Sequence, residues 1–179
     1  MPSIIKTAIQ DLLTALTNTA QFNFVAVWND HVNRLIDGSG YSYNCPAAFV
    51  ELEPIQVINL SSGITQTDYI IRVHIVHTEL DAIDGALDQN LNVYDYRDAV
   101  KVAMTGLKPT NFGNLMFNQE FQDYEHNNVY HYLVEFKAGF IDTKGSPYDV
   151  DSTDWIETTP PTTLTLTGAY NPEPFLKNK

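Results

Sequence analysis

The sequence predicts an α+β fold: a mostly antiparallel sheet with two helices packed on one face, followed by an extended C-terminal arm. Three observations lead there. Period-two alternation recurs through the first 141 residues, two stretches carry a helical stripe, and after residue 141 the periodicity gives way to Pro, Gly and Thr. Runs of strands interrupted by a few helices are the pattern of an α+β layer. The division that follows is a folded domain over 1–141 and an arm over 142–179.

The clearest strand is 130–140. Tyr130, Tyr132, Val134, Phe136, Ala138 and Phe140 fall on one side, with His131, Glu135 and Lys137 among the residues of the other. Such alternation sets one face on a core and leaves the second to water or a neighbour.

The chain opens on a helix. Over residues 3–17, Ile5, Ile9, Leu12 and Leu16 recur at helical spacing, and Ile4, Ala8 and Leu13 widen the stripe enough to lie flat on a sheet. Ser3 is the expected N-cap. Residues 22–28 alternate as a strand, with Phe22, Phe24, Ala26 and Trp28 together. Residues 29–43 have no clear period, and Gly38-Ser39-Gly40 marks a loop. A short strand over 47–52 is expected to end at Glu53-Pro54.

Residues 55–60 and 67–78 flank Ser61-Ser62-Gly63, which predicts a hairpin. In its second arm Tyr69, Ile71, Val73 and Ile75 share one face, and Ile70, Arg72, His74 and Val76 the other. An acidic loop over 79–90 then leads into a second helix, capped by Asp88 or Asn90. Val93, Tyr96, Val100, Ala103 and Leu107 form its stripe, Asp95, Asp98 and Lys101 point away, and Gly106 and Pro109 stop it. Residues 115–124 and 129–141 close the domain as a hairpin across His126-Asn127-Asn128.

Composition narrows the function classes. At 179 residues, 44% of them hydrophobic, the chain is long enough to bury a core without staples. Ten Lys and Arg against 22 Asp and Glu give a formal charge of −12. Binding a nucleic-acid backbone draws on clustered cations, which this chain lacks; the balance suits a surface that DNA slides past. No apolar run approaches the roughly 18 residues of a membrane span, and the opening residues do not have the form of a secretory leader. Cys45 is the single cysteine, so no intrachain disulfide forms, which is compatible with a reducing cytoplasm.

Candidate chemistry is sparse. His74 and His77 stand three apart on a strand and point to opposite faces, so they do not share one ion, and a zinc site needs three or four ligands. His126 and His131, beside a turn, are expected to be solvated. His31, beside Asp30, could form half of an acid–base pair, but with no serine or cysteine nucleophile motif nearby it is expected to be a satisfied surface histidine. Glu79, Asp81, Asp84 and Asp88 resemble a calcium loop only superficially, because Ile83 and Leu87 occupy ligand positions. Glu120, Asp123 and Glu125 are split between the faces of a strand, and Cys45 reads as a small buried or half-buried residue rather than a nucleophile. No glycine-rich phosphate loop, Gly-x-Ser-x-Gly or Cys-x-x-Cys occurs. No catalytic, cofactor-binding or metal-binding residue is assigned, and the chain is not expected to be an enzyme.

The arm reads differently. Its charge and prolines fit a disordered tail, but it carries Trp155, Leu164, Leu166, Tyr170 and Phe175. Such side chains are typical of partner contacts, which puts docking on a neighbouring subunit or partner ahead of disorder. These five are the candidate interface residues. The semi-apolar second face of the sheet is a further expected contact surface, with Ile70, Val76, Val129 and Leu133 beside Arg72, His74, His131, Glu135 and Lys137.

In the order of its elements the chain resembles the tail-terminator (tail-completion) proteins of long-tailed bacteriophages. The likeness covers residues 3–142. It rests on the opening helix, the strand Pro46-Ala47-Ala48-Phe49-Val50-Glu51-Leu52, the long strand 69–77 and the acidic loop. It continues through the helix with Tyr94-Asp95-Tyr96-Arg97-Asp98-Ala99-Val100 and the hairpin carrying Asp123-Tyr124-Glu125 and Val129-Tyr130-His131-Tyr132. The resemblance implies a subunit of a ring, commonly a hexamer, on the head-proximal end of the tail tube. Such a ring ends tube growth, meets the head–tail connector or stopper protein, and lets DNA through its channel without specific binding. It implies no membrane, no cofactor and no catalytic residues, with assembly in the host cytoplasm and final residence in the virion. The alternatives are another neck or connector component, a tail-tube subunit, or a small-molecule-binding α+β domain.

Overall fold

The computed structural model describes residues 3–36, 43–61, 63–78, 87–125 and 129–144. Their elements, in chain order, are α1 (Ile4–Thr17), β1 (Phe24–Val27), α2 (His31–Ile36), β2 (Ala47–Ser61), β3 (Ile64–His77), α3 (Leu87–Met104), β4 (Met116–Asp123) and β5 (Tyr130–Asp142). The fold is α+β: one five-stranded sheet of order β1-β2-β3-β5-β4 with three helices among the described residues. β1 runs parallel to β2, and every other neighbouring pair is antiparallel.

Register decides what each face buries. Val50, Val73 and Val134 lie side by side across β2, β3 and β5 and are fully buried. Ile71 and Phe136 pair beside them, and Ala8, Leu12 and Leu16 of α1 join Val100 and Met104 of α3 in the same core. The buried stripe of α1 is therefore an i, i+4 row rotated from the predicted one, with Ile5 and Ile9 only partly covered. Ser3 sits at the N-cap, but its side chain makes no capping bond; the Thr7 N–H donates to its carbonyl at 3.1 Å.

Several predicted boundaries move. Glu53-Pro54 does not end a strand: β2 continues through it as one strand of 15 residues. Pro54 lies opposite Tyr69 beside a register shift, where β1 has already ended, so a proline there has only one neighbouring strand to accommodate. The hairpin closes tightly, with Ser61 opposite Ile64 and Gly63 at φ +83°, a backbone state that favours glycine. α2 falls within the stretch that has no sequence period. α3 begins at Leu87, inside the expected acidic loop, and Met104 replaces Leu107 as its last buried residue because Gly106, at φ +77°, has ended the helix. The rest of that loop, residues 79–86, and the 126–128 turn lie outside the described residues, as do the arm from residue 145 and its candidate contacts. Among the described residues no helix is long and apolar enough to cross a membrane.

Part of the second face is covered as well. Val32, Tyr43, Ala47, Phe49, Val76 and Val129 form a smaller core, against which Phe24, Ala26, Trp28 and Leu35 pack. His131, Leu133 and Glu135 on this face are also buried, where alternation alone predicts a face open to water or a neighbour.

Phe136 is fully buried in the main core, and Phe136→Ala is expected to lower the free energy of unfolding by about 3–5 kcal/mol. Ile58→Ala, on an exposed stretch of β2, is expected to change it by no more than about 0.5 kcal/mol. Urea denaturation of the two variants checks the contrast.

Candidate assembly surface and buried polar network

Pairing across β2, β3, β5 and β4 sets Glu51, Arg72, Glu135 and Gln119 in one row on the second face. The Arg72 guanidinium joins three carboxylates. Its Nε donates to Glu135 Oε1 at 2.6 Å, and its terminal nitrogens reach Glu51 at 3.3 Å and Glu53 at 2.5 Å. The second oxygen of Glu135 accepts from Gln119 Nε2 at 2.7 Å and Asn118 Nδ2 at 3.1 Å. Glu135 is only 1% exposed, so these bonds replace its hydration. Burial pushes its carboxyl up, but Arg72 and the two amides outweigh that and hold it below the usual carboxylate range.

The row continues through two histidines. His74 Nε2 lies 3.2 Å from Glu51 Oε2, His74 Nδ1 lies 2.9 Å from His131 Nε2, and His131 Nδ1 lies 3.0 Å from Asp123 Oδ2. Each of these three contacts needs a proton, and two neutral imidazoles carry only two. With both carboxylates ionised, all three are satisfied when His131 holds two ring protons and His74 holds one, on Nε2. Burial first, then the neighbouring His131 and Arg72, lower His74 to about 3, which agrees with a neutral ring there. Trp28 lies flat on His74, with ring centres 3.9 Å apart and planes 6° apart, and extends over His131. His31, also buried, stacks on Phe49 at 4.2 Å. Neither His31 nor His131 is the surface residue the sequence suggests.

Other candidate groups sit apart. His74 and His77 are both buried, on opposite faces. Glu120 and Asp123 also diverge. Glu120 pairs with Arg97 and with Lys101, which also lies 4.0 Å over the Phe117 ring, whereas Asp123 faces His131. The Arg97 pairing holds Glu120 below the usual carboxylate range. Cys45 is half-buried. Among the described residues no group of three or more His, Cys, Asp and Glu side chains is placed to hold a metal ion. Asp88 falls within α3, while Glu79, Asp81 and Asp84 lie outside the described residues, as do the interface candidates Trp155, Leu164, Leu166, Tyr170 and Phe175.

Exposed large apolar side chains occur on α3, at Leu91, Tyr94 and Val102, and in two groups at the sides of the sheet. β1 covers only the first four residues of β2, and past them Ile55, Val57, Ile58 and Leu60 are 40–60% exposed. At the opposite side β4 exposes Met116, Phe117 and Phe121. Sequence reading overlooked this surface because it divided β2 at Pro54. The signal available was an uncharged apolar stretch from Ile55 to Ile64. No protein-family model matches the chain, and no curated protein matches it at a significant level.

Two outcomes follow for the network. Arg72→Met strands the buried Glu135 carboxylate without its cation, and is expected to cost about 3–5 kcal/mol at neutral pH. Part of that loss should return on acidification, as Glu135 takes a proton, which denaturation at several pH values reads directly. His74 stays neutral in the folded chain down to about 3, whereas in the unfolded chain it binds a proton near 6.5. The unfolded state therefore holds the extra proton between those values. His74 makes stability fall as pH drops through that window, by up to about 1.4 kcal/mol per pH unit. His74→Phe should flatten the slope between about pH 6.5 and 5, above the range where ordinary carboxylates titrate.

Proposed function

We propose that this chain is a structural subunit of a long-tailed phage virion. It assembles as a ring, of six copies in the simplest form, on the head-proximal end of the tail tube. There it ends tube growth and presents a surface to the head–tail connector or stopper protein. The reading assigns no catalysis and no cofactor. In it, α1 and α3 cover one face of the sheet, and the arm over 142–179 brings Trp155, Leu164, Leu166, Tyr170 and Phe175 to a neighbouring subunit or partner.

One observation carries the reading: among the described residues one side of β2 is open past Val50, and there four apolar residues stand exposed on a stretch with no charge from Ile55 to Ser61. Pro54 and two register shifts partly blunt this edge, but the stretch between the shifts carries no charge, and an exposed apolar edge is a surface for pairing with another chain. Contact through edges also replaces the expected contact through the second face, whose polar groups are already bonded to one another. A formal charge of −12 favours DNA passing a channel without being held.

Electron microscopy of the purified chain with its tube protein tests the proposal. The expected result is a ring capping one end of each tube, with tube length limited as the chain is added. Long tubes formed by the chain alone would make it a tube subunit. Tubes left bare, with the chain bound instead to connector rings, would make it a neck component. Either result overturns the terminator reading.

A further inference from the structure

We infer that the open side of β2 is covered by β4 of a second copy, the two strands pairing antiparallel so that the sheet continues from one subunit into the next. The inference rests on the ring reading and names the contact that closes the ring.

Strand direction is the first support. β2 and β5 run one way and β3 and β4 the other. A copy placed by extending the sheet sideways therefore brings its β4 alongside β2 in the opposite direction, as an antiparallel ladder requires. The regular stretches of the two edges are of similar length: Gln56–Asn59 lies between the two register shifts of β2, and Gln119–Asp123 follows the one shift of β4.

The chemistry of the two edges is the second support. Val57 lies opposite Thr67, on the same face as Ile71 and the main core, while Ile58 lies opposite Gln66, on the other face. On β4, Phe117 lies opposite Phe136 on the main-core face, and Phe121 opposite Leu133 on the second face. Each edge thus offers at least one exposed apolar side chain above the sheet and one below it. Pairing the edges sets Val57 on the side of Phe117 and Ile58 on the side of Phe121, shielding apolar surface on both faces. Joining two β2 edges about a twofold axis would close a dimer and leave β4 exposed. Joining β2 to β4 uses both edges and propagates from copy to copy, closing into a ring when the rotation between neighbours divides a full turn.

Substitution of one edge at a time tests this. Val57→Lys and Phe121→Lys each place a charge on an exposed side chain, so both chains should fold with melting curves close to that of the parent. Each is expected to weaken the joint by about tenfold or more and to run as a monomer where the parent forms rings, by native mass spectrometry and sedimentation. The first variant keeps a sound β4 and the second a sound β2. Mixed in equal amounts, they should give one-to-one dimers that grow no further.

Val57→Lys monomeric with Phe121→Lys still assembling would show that β2 meets something other than β4, overturning the inference while leaving the ring reading standing. Parent-like rings from both variants, or full rings from the mixture, would also overturn it and leave ring formation to other surfaces. A parent that stays monomeric at all concentrations would overturn the inference by itself, with the capping of tube ends then deciding the broader proposal.

Discussion

A buried carboxylate governs the arrangement. Glu135 lies between Val134 and Phe136, both fully buried on the opposite face of the same strand. Sliding β5 by one residue would turn Glu135 into the apolar core and Val134 into the polar row. Only the observed register gives Glu135 the guanidinium of Arg72 from β3 and the amides of Asn118 and Gln119 from β4. Ion pairs in a protein interior add little net stability compared with apolar packing, because desolvation offsets their attraction. Their contribution here is to make the alternative registers costly. Glu51 ties β2 into the same row, so one network fixes the order and alignment of four strands.

That network also shapes the surface. Trp28, at the end of β1, stacks on His74, and Phe49 of β2 lies between Trp28, Tyr43 and the ring of His31 at the start of α2. The second face thus gains an aromatic layer, and the charged side chains beneath it bond to one another. With main-core residues filling one face and this layer covering part of the other, the sides of the sheet are among the places where apolar side chains stay exposed, along with Leu91, Tyr94 and Val102 of α3.

Much of this was legible in the sequence, but unevenly. The stripe of α1 and the alternation of β3 and β5 identified elements correctly, since a period reports which side chains share a face. It does not report whether something else in the chain covers that face. His131 and Glu135 sat on the non-core side of an obvious strand, and their burial depends on Trp28 and β4, distant in sequence. Arg72 and His74 on one strand, with His131 and Glu135 on another, were already a complementary set. Knowing that they meet requires the register between segments 63 residues apart, as for Arg72 and Glu135. Pro54 misled for a local reason: proline disrupts a ladder with neighbours on both sides, and β2 has only one at that point. α2 is six residues long, too short for a stripe to emerge from its flanks.

The polar row bears on assembly through rigidity. It begins on β2 with Glu51 and Glu53 and ends on β4 with Asn118, Gln119 and Asp123, so both sides of the sheet are tied to its centre by charged or amide groups. Association between chains loses free energy to ordering whatever was mobile beforehand, and edges already held in an extended conformation lose less. Arg97 and Lys101 of α3 hold β4 from the opposite face through Glu120, and Lys101 covers the ring of Phe117. A strand anchored from both faces presents its outer backbone as a fixed ladder. The groups that make the fold specific thereby also prepare its edges to receive another chain.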